Sequence, residues 1–410
     1  RAEGGEPLVL ADRAELVDYI RGVAHFQMTM HMFGNQLIAV DGDTAAVDSY
    51  AMLTHHLEGE RPWELNVSDA CYVEKLTRTP DGWVISERGG EPAWRATRAD
   101  SNDPSVRGLL DRAEIHDVKM QYAIGLDRRD FERVGACFAP QFRATYGSTA
   151  VDEIDALIDF VRGVEHFAST THFCGAQLVE VVGDEASVET PAFITHREAP
   201  RPGEKRGREW VAQTRYRERY VRVEGRWRIA ELGGDAPAVP TLRAAQPRSD
   251  DPDVRALLDR AAIHDVVVTS AIAADRGDAA GLASCFERPD AAASAASGPG
   301  SFQLLGNQVV AIDGDTAESD TYVYVTEPVG DGGTTPWAHG ARRLVDRLAR
   351  IDGRWLITHR AVADNRVASK ITQGITTEIT GEGVSIAPLN DQMLADRKAS
   401  YDTFKVPQDF

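Results

Sequence analysis

The chain is written three times over, and this repetition limits its fold more than any other feature of the sequence. Residues 103–118 (DPSVRGLLDRAEIHDV) match residues 251–266 (DPDVRALLDRAAIHDV) at 13 of 16 positions, and the same spacing carries Asp127 onto Asp275 and Cys137-Phe138 onto Cys285-Phe286. A second correspondence links the first third to the middle. LVDYIRGVAHF at 16–26 resembles LIDFVRGVEHF at 157–167, and the register takes His31 to His172, Gly34 to Gly175, Gln36 to Gln177 and His55 to His196. The last third repeats the first, GNQLIAVDGDTA at 34–45 becoming GNQVVAIDGDTA at 306–317, with Trp83 becoming Trp355. Three units follow: 1–95, 103–235 and 251–366, joined by linkers at 96–102 and 237–249 and followed by a tail at 367–410 that matches no repeat.

Composition supports independent folding of each unit. The 410 residues are 42% hydrophobic and 27% charged, enough for three cores without disulfides. A net charge of −19 argues against nucleic acid, whose binding draws on clustered cations. No apolar run approaches the ~20 residues of a membrane span, so no membrane partner is expected. Four cysteines (Cys71, Cys137, Cys174, Cys285) form no CxxC pair, which suits a reducing cytoplasm, the expected location. The first residue is Arg and no charged-then-apolar leader follows it, so secretion is not expected.

Within each unit, helical patterns precede strand patterns. In the middle unit, Leu109, Leu110, Ala113, Ile115 and Val118 recur at helical spacing after an Asp103-Pro104 start. A short helix is expected at 130–137, a strand at 142–146 and a third helix at 151–164. Strands then follow at 177–182, 186–194, 211–223 and 227–231, with Gly183-Asp184 and Glu224-Gly225 as turns. This order implies an α+β fold, a curved antiparallel sheet wrapped over helices. Only the middle unit is complete. The first lacks the opening helix, and the third loses its third helix to an Ala/Ser/Gly-rich stretch (DAAASAASGPGS).

The stretch YAIGLDRRDFERVGACFAPQFRATY (122–146), with TTHFCGAQ (170–177) and ITH (194–196), resembles scytalone dehydratase and the SnoaL-like enzymes. These share the wider fold of nuclear transport factor two and ketosteroid isomerase. The resemblance covers 103–235 well and the flanking units in part. It implies a cone-shaped domain whose apolar pocket holds an Asp–His pair, a second His one strand on, and tyrosines that orient water against a substrate carbonyl. Carried over, these are Asp127, His172, His196 and Tyr146. The family's other water-binding tyrosine falls at Leu126, and Tyr122, about one turn earlier, is the candidate substitute. Related bile-acid dehydratases also place a Tyr five residues before the Asp. Their strand-end Arg has no counterpart here, since that position is Leu232.

Elementary chemistry points the same way. Eliminating water from a β-hydroxy carbonyl compound needs a base for the α-proton and an acid for the leaving hydroxyl, and histidine serves both near neutrality. We read His172 as the acid/base, Asp127 as its orienter, His196 as a second proton handler, and Tyr146 with Tyr122 as carbonyl or water donors. Leu126, Phe138, Phe142, Phe160, Phe167, Phe173 and Phe193 are the expected substrate-binding walls. His31 and His55 form a possible second site in the first unit. The third unit keeps Asp275 but has Gln303 and Glu327 where the histidines belong, so it is read as structural or degenerate. His116 and His264 are read as helix-packing residues, and the basic run at 197–222 as a solvated face or a contact with acidic neighbouring units. The Gly-Asp turns lack the oxygen ligands of a calcium site, and no phosphate loop or nucleophile elbow occurs.

The expected activity is that of a lyase or isomerase of secondary metabolism, free of cofactor and metal, acting on a polyketide, terpenoid or steroid-like small molecule. The alternatives are a non-catalytic binding or scaffold protein, and a cyclase. The expected assembly is a monomer whose three units pack as a pseudo-trimer, or a homo-oligomer.

Overall fold

The computed structural model describes residues 10, 12–21, 28–56, 66–80, 82–89, 101, 103–201, 207–233, 249–295, 301–328 and 337–364. The expected tail at 367–410 and most of both linkers lie outside these residues. Unit 1 holds α1 (Arg13–Arg21) and an antiparallel meander of β1 (Met28–Asp41), β2 (Thr44–His56), β3 (Asn66–Thr79) and β4 (Gly82–Arg88). Unit 2 opens with α2 (Pro104–Arg128) and α3 (Phe131–Ala136), then β5 (Phe138–Tyr146), β6 (Thr149–Val151) and α4 (Ile154–Val161), which tightens into a 3-10 turn at Arg162–His166. Its remaining strands are β7 (Ser169–Cys174), β8 (Leu178–Val182), β9 (Glu185–Arg197), β10 (Glu209–Val223) and β11 (Arg226–Leu232). They form a sheet in the order β6-β5-β11-β10-β9-β7, with β8 also on β9 and β5 parallel to β11. Unit 3 has α5 (Pro252–Arg276), α6 (Ala279–Ala283), a 3-10 turn at Pro289–Ala295 and the meander β12 (Phe302–Asp313), β13 (Thr316–Pro328), β14 (Trp337–Ile351) and β15 (Arg354–Asp364).

Local chemistry sets these elements. Asp103 caps α2 by accepting from the Ser105 N–H at 2.8 Å, with Pro104 in the first turn, and Asp251 does the same for α5. Hairpins turn at Gly42, Gly183 and Gly314, all at positive φ. Equivalent register shifts at Lys75/Leu76, Arg219/Tyr220 and Arg347/Leu348 bend the last hairpin of every unit. The strand β7 was not expected as a separate element. In units 1 and 3 the corresponding residues continue through a bulge into one long strand, β1 or β12, whereas in unit 2 Gly175-Ala176-Gln177 divides β7 from β8. Unit 3 keeps a vestige of the β5 pairing as a single parallel bridge, Phe286 to Ile357.

The three units pack around a common centre with cyclic correspondence. Asn35 of unit 1 bridges β7 of unit 2, donating to the His172 carbonyl at 2.7 Å and accepting from the Cys174 N–H at 2.7 Å. Asn307 of unit 3 makes the equivalent bridge to His31 and Phe33 of unit 1. From unit 2 to unit 3 the position is Ala176, whose N–H alone donates to the Leu305 carbonyl at 2.9 Å. Glycines permit this approach: a Cβ on Gly34 would lie 2.5 Å from the Cys174 carbonyl, and one on Gly175 would lie 2.8 Å from that of Leu305. One buried cluster draws Met30, Met32 and Tyr50 from unit 1, Met120, Phe173 and Phe193 from unit 2, and Leu304 and Tyr324 from unit 3. The helical histidines, expected as packing residues, are bridges between units. His116 spans Gln177 of its own unit and the Gln36 carbonyl of unit 1, and His264 spans Gln308 and the Gln177 carbonyl. No described helix is long and apolar enough to cross a membrane.

Candidate active site

The C-terminal turn of α2 delivers Asp127 to the edge of β7. Its carboxylate accepts from His172 Nδ1 at 2.6 Å, from the His172 N–H at 2.8 Å and from the Thr170 hydroxyl at 2.9 Å. Both side chains of the Asp127–His172 pair are buried. Because a carboxylate only accepts, the first bond puts the proton on Nδ1 and leaves Nε2 as the basic nitrogen. His196 on β9 lies on the same face, its ring centroid 5.7 Å from that of His172 and stacked on Phe167 at 4.6 Å. His196 Nε2 is buried and, among the described residues, has no hydrogen-bond partner. Burial, then the neighbouring His172, lowers the pKa of His196, so the ring is neutral near pH 7.

Tyr122 and Tyr146 share a hydroxyl–hydroxyl bond of 2.9 Å. Burial pushes both phenols above their usual range, which keeps them as O–H donors. Leu126, Phe138 and Phe142 belong to the same buried cluster as Tyr122, and Phe160 stacks on Tyr146 at 4.7 Å. Phe173 and Phe193 do not join this wall. They face each other across β7 and β9 on the side away from His172, and Phe193 meets Tyr324 of unit 3 edge-on at 5.4 Å. Successive strand residues point to opposite faces, so Phe173 cannot share the face of His172.

Several side chains at this site were not picked out from the sequence. Arg129 holds a left-handed backbone (φ 57°), which costs a non-glycine residue about 1–2 kcal/mol. Its guanidinium donates to the Asp127 carbonyl, the Thr170 hydroxyl and the carbonyls of Val164 and Phe167. Arg129 thereby ties the Asp127 helix end to the turn that carries Phe167 against His196. Gly277 occupies the equivalent position in unit 3. Below the tyrosines lies a fully buried ion pair, Lys119 to Glu218 at 2.8 Å, with the ammonium 3.4 Å over the Tyr216 ring. Thr170 and Tyr216 were legible in principle, the first two residues before His172, the second in an alternating run of β10.

The flanking units differ from this arrangement. In unit 3, Asp275 binds Arg215 of unit 2 and both amide nitrogens of Gln303, while Glu327 pairs with Arg342. In unit 1, His31 lies on β1 opposite Leu53; His55 lies on β2, with its side chain outside the described residues. Across the expected basic run, Arg197, Arg215, Arg219 and Arg222 all meet carboxylates, and Arg215 reaches across to unit 3.

A family model described as the SnoaL-like domain matches residues 3–89, 107–233 and 290–361. Among solved structures, a candidate scytalone dehydratase from Novosphingobium aromaticivorans is 21% identical over 30% of this chain and 83% of its own, with a TM-score of 0.28. A candidate dehydratase from Streptomyces avermitilis is 14% identical over 30% and 93%, with a TM-score of 0.28. A type 2 hexachlorocyclohexane dehydrochlorinase is 19% identical over 33% and 97%, with a TM-score of 0.28. No curated protein matches the chain. With all three units matched, over more than half of the residues, the chain belongs to the SnoaL-like domain family.

Proposed function

We propose that unit 2 is an acid/base lyase or isomerase acting on a mostly apolar small molecule of polyketide, terpenoid or steroid-like character. The observation that carries this reading is the buried Asp127–His172 pair with the ring of His196 beside it. In the elimination we favour, His172 Nε2 removes the α-proton of a β-hydroxy ketone. The electrons form the C=C bond as the β-carbon–oxygen bond breaks, and the imidazolium returns its proton to the departing hydroxide as water. Asp127 supports the transient imidazolium, and the Tyr122–Tyr146 pair donates to the carbonyl oxygen. Aromatic walls suit a substrate held by few polar contacts.

The test uses a panel of cyclic β-hydroxy ketones of one to three rings, with enone absorbance as the readout. His172→Ala and Asp127→Asn should each lower turnover by about 10²–10⁴-fold. Affinity for the enone product, followed by tryptophan quenching, should stay within about threefold of the parent. Turnover that survives His172→Ala on a confirmed substrate overturns the mechanism.

A further inference from the structure

Every unit repeats one pair of positions on its two central strands. In unit 1 they are Asp48 on β2 and Cys71 on β3, in unit 2 Glu189 on β9 and Arg215 on β10, and in unit 3 Asp320 on β13 and Arg343 on β14. The ladders fix the correspondence: Tyr50 lies opposite Cys71, Pro191 opposite Arg215 and Tyr322 opposite Arg343, each two residues past the acid. The acid takes the arginine at the end of the next unit's long helix, Asp48 binding Arg128 of α2 at 2.8 Å and Glu189 binding Arg276 of α5. At the second position the two seams part. Arg215 passes Glu189 at 3.9 Å and pairs with Asp275. Cys71 stays beside the Asp48–Arg128 pair, its sulfur 3.4 Å from each.

The two aspartates are otherwise held alike. Asp127 accepts the His172 main-chain N–H at 2.8 Å and its ring N–H at 2.6 Å; Asp275 accepts the Gln303 main-chain N–H at 2.8 Å and its amide N–H at 3.2 Å. Both carboxylates are buried, and a buried carboxylate is costly without a counter-charge. Facing the uncharged Gln303, Asp275 receives that charge permanently from Arg215. Among the described residues, the Asp127 carboxylate meets no arginine, since Arg129 binds the Asp127 main-chain carbonyl and Thr170 instead. Its counter-charge arrives only when His172 takes a proton.

We propose that the residue at this position of the preceding unit decides whether an aspartate can support a protonated histidine, and that Cys71 is thereby a positioning residue of the unit 2 site. Lacking charge, Cys71 leaves the field of Asp127 to His172, whereas Arg215 cancels the same field at Asp275. The inference rests on the proposed role of His172 as a base. Around His172 stand Asp127 and Arg129 at the end of α2, and His196 on β9. Behind Asp127 lie Asp48, Tyr50 and Cys71 of unit 1 with Arg128, and further along the sheet Tyr216 and the Lys119–Glu218 pair.

The experiment titrates the histidine Cε1–H resonances of the full chain by NMR, with His172 assigned by its loss in His172→Gln. Cys71→Arg should lower the His172 midpoint by about one pH unit or more relative to Cys71→Met, because a nearby cation opposes the imidazolium. Turnover of a confirmed ketone substrate should fall about tenfold further in Cys71→Arg than in Cys71→Met. The acid limb of its kcat/KM profile should move down with the midpoint. The converse test lies in unit 3: the ring introduced by Gln303→His should titrate about one unit or more higher once Arg215→Met is added. Equal midpoints for the Arg and Met variants at position 71 overturn the proposal, as does an introduced ring indifferent to Arg215. If Cys71→Arg does not fold, the unit 3 pair decides alone. The titrations need no substrate, so shifted midpoints in a protein that turns over no ketone would uphold this inference and refute the reaction.

Discussion

Asn35 joins unit 1 to the strand that carries His172, and its replacement isolates the worth of that junction. Asn35→Ala removes a buried bridge, leaving the Cys174 N–H unsatisfied and the His172 carbonyl with only a weak contact from the Cys174 thiol at 3.8 Å. Each orphaned group costs about 1–3 kcal/mol. Asn35 also holds φ at 48°, where an alanine adds about 1–2 kcal/mol. The expected loss is therefore about 3–8 kcal/mol for Asn35→Ala and about 1–2 kcal/mol less for Asn35→Gly, which accepts the same φ. Urea unfolding measures both, with the slope unchanged if only the folded state is affected. Because the lost bonds anchor the His172 backbone, turnover should fall as well. Asn307→Ala, which releases the equivalent strand of unit 1, should lower stability but spare turnover. A loss below about 1 kcal/mol for Asn35→Ala would refute this account, since even one orphaned buried group exceeds it.

Two other outcomes follow from buried charge. Burial lowers the pKa of His116, against the opposing bonds from Gln177 and Gln36, and burial with His172 lowers that of His196. Unfolded, both titrate near about 6.5, so below that pH the unfolded chain binds more protons and stability declines toward pH 5. His116→Gln should flatten the decline in urea midpoints measured across that range, and an unchanged slope would contradict the assignment. Lys119→Met should cost about 3–5 kcal/mol by stranding Glu218 in the interior, and adding Glu218→Gln should recover most of it. Failure of the double variant to improve on the single one, by the same unfolding assay, would mean that packing around Lys119 dominates.

Periodicity made the repeats readable, and capping chemistry marked the starts of α2 and α5, because both signals are local. The Asp127–His172 pair was legible for a different reason: a known family arranges the same residue types at the same separations. Three features escaped. Phe173 and Phe193 were grouped with the site by aromatic character, although strand alternation turns them toward the neighbouring units. Strand β7 was missed because it is short and polar, and its partner β9 is distant in sequence. Arg129 could not be foreseen, since nothing local reveals a left-handed conformation whose cost is offset by three distant acceptors.

Arg215 reaches out of unit 2 to hold Asp275, the unit 3 counterpart of Asp127. In an assembly of identical subunits every substitution appears three times, so an arginine that plugs one pocket plugs them all. Tethering the subunits in series removes that rule. One unit can keep its buried Asp–His pair while another trades its own for a rivet between neighbours. Redesign of such a chain therefore has a freedom denied to a homotrimer: specificity can be altered in one compartment while the other two are tuned for endurance alone.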